Sequence, residues 1–150
     1  MRTRLVRRHF RIGWWSLLLF VLLGFALEVL HALKVGLYLN VSNETRRLMW
    51  TLAHAHGTLL ALVQLGFAAT VACVPAWTSG TRSGASACLL SAGLLIPLGF
   101  FLGGVYIYSG DPGLGIALVP PGAVLLVAGA FLTARGAASV ITDQASAPPV

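Results

Sequence analysis

The chain has 150 residues, of which 57% are hydrophobic and 9% charged, and a formal net charge of +6. Soluble domains carry about 25% charged residues; here five of the ten Lys and Arg residues crowd into the first eleven positions, so too few charges are left to coat a water-soluble surface. The basic excess does not predict nucleic-acid binding either. Arg2, Arg4, Arg7, Arg8 and Arg11 stand directly ahead of an apolar run, the place of an orientation signal or an anionic-lipid contact, and no base-stacking or groove-reading motif accompanies them.

A bilayer core of roughly 30 Å needs about 20 apolar helical residues to cross it. In lipid the backbone must satisfy its own hydrogen bonds, so such runs become helices. After a basic cytoplasmic N-terminus over 1–12, four of them follow within a membrane domain of 13–134. The first is expected over 13–39, opening on the interfacial pair Trp14 and Trp15 and carrying Glu28, His31 and Lys34 late in its course. A polar turn over 40–45 holds two glycosylation-type sequons, Asn40-Val41-Ser42 and Asn43-Glu44-Thr45, read here as turn and capping residues. The second run is expected over 47–74, with Trp50 near its outer end. The third, over 85–108, contains Pro97, Gly99, Gly103 and Gly104, a set suited to close helix packing. Ser109-Gly110-Asp111-Pro112-Gly113 reads as a turn. The fourth, over 114–134, is interrupted by Pro120-Pro121, where a kink is expected, as at Pro97. The tail, 135–150, reads as a flexible cytoplasmic segment.

The expected fold is therefore an all-α integral membrane protein: a four-helix transmembrane bundle with short loops. Arg82, Arg135 and the five N-terminal arginines lie on one side and Arg46 and Arg47 on the other. Seven against two predicts both termini inside, most simply in a bacterial inner membrane. A cleaved signal peptide does not fit, because the core lacks a small-x-small cleavage site before a polar mature start and Glu28 and His31 follow too soon. Cys73 and Cys88 flank the second loop, on the inner side, where thiols stay reduced.

Ionisable groups within a membrane are costly and mark function by default. The candidates are Glu28, His31, Lys34, His54 and His56. Glu28, His31 and Lys34 are spaced i, i+3, i+6 and predict one stripe on the first helix. At about 1.5 Å rise per residue, His31 and Glu28 lie roughly 12 and 16 Å below the outer end of the first run, and His54 and His56 roughly 10 and 14 Å into the second. The groups share one level. His54 and His56 are two steps apart, about 200°, so they leave opposite faces of their helix. Gln64, further along, is expected to make an interhelical hydrogen bond. Tyr106 and Tyr108 read as interfacial belt residues.

The stretch Trp50-Thr51-Leu52-Ala53-His54-Ala55-His56-Gly57-Thr58-Leu59-Leu60-Ala61-Leu62 resembles the His-x-His helix of the haem–copper oxidase and nitric oxide reductase large subunit. There the two histidines leave opposite faces of one transmembrane helix and ligate different haem irons. The resemblance implies that His54 and His56 are axial ligands. It covers residues 50–62 alone, and the family's copper-site histidines have no counterpart here.

Three functional readings follow. In the first, His54 and His56, assisted by His31 and Glu28, bind haem or a transition metal for electron transfer or cofactor handling. In the second, Glu28, His31 and Lys34 form the proton relay of a small carrier. In the third, the polar groups only lock helices together in an accessory subunit. The expected partners are the lipid bilayer and either a larger membrane complex or further copies of the chain.

Overall fold

A computed structural model describes residues 2–40, 44–74 and 77–145, with side chains described as far as 138. Its described elements are helical apart from a hairpin of two two-residue strands: α1 (Arg2–Ala32), α2 (Thr45–Cys73), α3 (Ser79–Gly103), β1 (Ile107–Tyr108), β2 (Asp111–Pro112), a 3-10 turn at Leu114–Leu118 and α4 (Val119–Ala145). Four helices are long and apolar enough to cross a membrane.

The basic segment is not a separate tail. No breaker separates Arg2 from Gly13, so α1 runs 31 residues, about 46 Å, longer than the hydrocarbon core. Its other end comes sooner than the apolar pattern predicts. Lys34 adopts a left-handed conformation with φ 52°, its N–H donates to the His31 carbonyl, and the Val35 N–H donates to the Leu30 carbonyl, each at 3.0 Å. That pair of bonds is a Schellman stop, usually signalled by glycine; with lysine there, the sequence hides it. The chain then folds back so that Tyr38 is buried.

Other boundaries shift for comparable reasons. Glu44 occupies the N-cap position of α2 without a side-chain capping hydrogen bond and pairs with Arg47 at 2.8 Å; Val41, Ser42 and Asn43, and with them most of both sequons, lie outside the described residues. α3 begins at Ser79, earlier than expected, and continues through Pro97 to Gly103. The hairpin turn is centred on Ser109 and Gly110, both with positive φ, and pairs Tyr108 with Asp111. Pro120 and Pro121 do not kink a helix. They occupy the first turn of α4, where a missing N–H leaves no gap in the ladder. α4 is helical as far as Ala145, into the segment expected to be a flexible tail; residues 146–150 lie outside the described residues.

Consecutive helices run antiparallel, α1 on α2, α2 on α3 and α3 on α4, while α1 and α4 share no packed face among the described residues. The four helices thus form an open series, not a closed square. Glycines set the close approaches. Gly13 lies against Ala61 and Leu65, Gly57 against the Phe20 ring, and Gly129 against Leu89. The core lies along α2 and α3, where Phe67, Val71, Trp77, Ala85 and Leu89 form one cluster and Leu60, Ala92 and Ile96 another. Trp14, Trp15, Leu19, Leu22 and Phe25 of α1 and Val124, Val127 and Phe131 of α4 point outward, as lipid-facing positions would.

Candidate functional site

Gly24 is where α1 makes room for His54. A Cβ there would collide with the imidazole ring. The ring reaches across to the α1 backbone, with Nδ1 2.7 Å from the Phe20 carbonyl oxygen. A carbonyl only accepts, so Nδ1 carries the proton and Nε2 is left as a basic acceptor. His56 leaves the opposite face. Its Nδ1 donates to Leu52 O of its own helix at 2.9 Å, and its ring packs on Phe100 of α3 at 4.8 Å between centroids. His54 is therefore the histidine that faces α1.

Glu28 joins that side. It lines a cavity of about 370 Å³ together with Gly24, Phe25 and His54. It also lines an adjoining outer cavity of about 560 Å³ with His31, Glu44 and Arg47. Tyr38 and Thr51 bound both spaces. Glu28 makes no hydrogen bond or ion pair among the described residues. The two cavities give Glu28 one histidine on its inner side and one on its outer side.

Lys34 does not continue the stripe. It lies beyond the end of α1 and lines neither cavity. His56, behind α2, lines neither as well. Among the described residues, no three His, Cys, Asp or Glu side chains converge to hold a metal ion. Cys73 and Cys88 are free thiols. Tyr106 and Tyr108 are exposed and stand apart from both cavities.

The outer rim is held by aromatic stacking and one arginine. His31, Tyr38, Trp50 and Phe101 follow one another at ring separations of 6.5, 6.4 and 5.8 Å. Arg46 lies over Trp50. It donates to the carbonyls of Leu37 at 3.1 Å, Gly104 at 3.0 Å and Val105 at 3.4 Å, tying the α1–α2 connection to the end of α3. The Thr45 hydroxyl donates to Gly110 O in the hairpin.

A second polar centre was absent from the sequence expectations. His9, among the N-terminal arginines, is fully buried. Its Nδ1 lies 2.6 Å from Gln64 Oε1 and its Nε2 2.7 Å from Ser86 Oγ. Gln64 Nε2 donates to Leu89 O at 2.8 Å. That bond fixes the amide orientation, so Oε1 accepts from a protonated Nδ1 and the serine hydroxyl can donate to Nε2. The network joins α1, α2 and α3, and it confirms the interhelical role expected of Gln64. A signal was present: His9, Gly13, Ser16, Phe20, Gly24 and Leu27 follow a spacing of three and four residues, one helix face. The neighbouring arginines masked it. Arg82, counted by sequence as a loop charge, is instead buried in the first turn of α3.

Compared with family models, curated proteins and solved structures, the chain matches none.

Proposed function

We propose that this is a multi-pass protein of a bacterial cytoplasmic membrane, with both termini inside, that handles protons or a small cation through Glu28, His31 and His54. One observation carries the reading. Glu28 bounds two adjoining cavities, without a partner among the described residues, with His54 on one and His31 on the other. Glu28 stands four residues, about 6 Å, from the end of α1, and a carboxylate placed there that locks no helices together is best explained by what it binds or transfers. His54 Nε2, freed by the Nδ1 bond to Phe20 O, is the natural proton acceptor from that side. Lysine and arginine together stand seven against three, with Lys34 falling in the α1–α2 connection beside Arg46 and Arg47, and this asymmetry supports the orientation, which places the outer cavity toward the exterior.

The test is acid-driven proton entry into liposomes bearing the full chain, followed with an entrapped pH dye. Wild-type protein should conduct, and Glu28→Gln should abolish entry, since an amide fills the same space but carries no proton. Equal entry with wild type and Glu28→Gln would reject the assignment.

A second reading, haem or metal binding at His54 and His56, rests on a different observation. Each ring gives its Nδ1 proton to a backbone carbonyl, the orientation that leaves Nε2 to ligate a metal. The two rings face different helices, so each would serve a separate centre, in line with the resemblance of residues 50–62. An optical spectrum and metal analysis of membrane-extracted protein decide it: a Soret band lost in His56→Ala or His54→Ala supports it, and protein free of both haem and metal rejects it.

A further inference from the structure

We infer that the groove between α1 and α3 is a binding site for one anionic phospholipid, its phosphate at Arg8 and an acyl chain lying between the helices. The inference rests on the reading that the chain spans a bilayer. α1 and α3 run in the same direction and both pack on α2. His9 and Ser86 bond across from one to the other near the basic end. Beyond that contact a cavity of about 380 Å³ opens at Arg8 and Gln64, floored by Gly57 and Ala61 of α2. It continues into a second of about 430 Å³, bounded by Phe20, Leu23, Pro97 and Phe101. Ser16, Gly93 and Leu94 bound both.

Length, polarity and charge select the occupant. From Arg8 to Leu23 is about 22 Å along α1, close to half of the roughly 40–45 Å bilayer with its headgroup layers, that is, one leaflet. The lining changes along that length as a phospholipid does. A guanidinium stands at the terminus, polar Ser16, Gln64 and Ser91 follow, and the far half is apolar except for Ser16. Arg8 is exposed and has no acceptor among the described residues, and a phosphate is a bidentate match for it. Arg4, one turn earlier, lies on the same face. A second helix does not fit inside: one about 10 Å wide and 22 Å long fills on the order of 1700 Å³. A zwitterionic headgroup offers the same phosphate but sets its own cation beside Arg4, Arg7 and Arg8, so a headgroup with net negative charge is favoured.

The experiment uses the full chain. Entry into phosphatidylcholine nanodiscs with a helical spectrum is scored first, and failure to enter refutes the membrane reading, and the lipid site with it. Protein that does enter is then extracted in mild detergent and titrated with phosphatidylglycerol or phosphatidylcholine of identical chains, and adducts are counted by native mass spectrometry. One phosphatidylglycerol should be retained at least about fivefold more strongly, the value of one arginine near an anionic surface. Arg8→Gln should remove that preference. Arg7→Gln, an equal loss of charge about 100° around the helix, should keep it, and Ser16→Leu, which fills the waist of the groove, should weaken retention of both lipids. Equal retention of the two lipids by wild type, equal effects of Arg7→Gln and Arg8→Gln, or a protein dimer in place of a lipid adduct would each overturn the proposal.

Discussion

Replacing His9 with phenylalanine keeps a ring of similar size against Phe67, 4.5 Å away, and removes both polar contacts. Interhelical hydrogen bonds in membrane proteins average about 0.6 kcal/mol and reach about 1.7, so two of them amount to about 1–3 kcal/mol. The Ser86 hydroxyl can turn back to a carbonyl of its own helix. Gln64 Oε1 has no such escape, and a buried unsatisfied acceptor costs about 1–3 kcal/mol. A loss near 2 kcal/mol is expected for His9→Phe. A similar loss is expected for Gln64→Leu, which strands the Nδ1 proton. The double variant removes both halves of one bond, so it should lose at least about 0.6 kcal/mol less than the sum. Reversible unfolding in mixed micelles titrated with dodecyl sulfate, followed by circular dichroism, measures all four corners of the cycle. Additivity within about 0.3 kcal/mol, or a neutral His9→Phe, would refute the network as a stabilising link between α1 and the core.

Three further outcomes are expected. Lys34→Gly should stabilise the protein by about 1 kcal/mol, because the left-handed position at φ 52° disfavours a side chain; a loss in the same unfolding assay would contradict the Schellman stop. Gly57→Ala should destabilise by about 1–3 kcal/mol, since its Cβ would meet the Phe20 ring in the α1–α2 contact, and an unchanged midpoint would show that contact to be loose. In a background with both native cysteines replaced, Ser109→Cys should react with an impermeant thiol reagent on intact cells and Ser79→Cys only after permeabilisation. The reverse pattern would invert the proposed orientation.

The candidate site is partly legible in the sequence. Glu28, His31 and His54 are readable because ionisable residues stand out in apolar sequence, but their common level is not kept: α1 ends at Ala32, and His54 packs against Gly24, about one turn from Glu28 and two from His31 along α1. That His54 and His56 diverge follows from the helical angle alone. Which of them faces α1 does not, since it depends on the glycine at 24 meeting a ring at 54 across the interface. Lys34 leaves the stripe for a local reason, a helix stop made without glycine. His9 was overlooked for a tertiary one. Nothing about a histidine in an arginine-rich stretch shows that an amide and a hydroxyl from two other helices will close over it.

Four helices long and apolar enough to cross a membrane are legible in the residue order, because run length and hydropathy are properties of consecutive residues and the backbone has few ways to satisfy itself in lipid. Neighbouring helices are antiparallel as the sequence implies, but only the α2–α3 loop is short: α1 stops at Ala32, and a hairpin and a 3-10 turn separate α3 from α4. The open series of helices with α2 and α3 at its centre, the groove between α1 and α3, and the two adjoining cavities that Glu28 lines with His31 and with His54 arise from packing. Those outcomes depend on which small residues meet across an interface, such as Gly13 with Ala61 or Gly57 with Phe20. Such pairings join positions far apart in the chain, and hydrophobic pattern alone does not specify them.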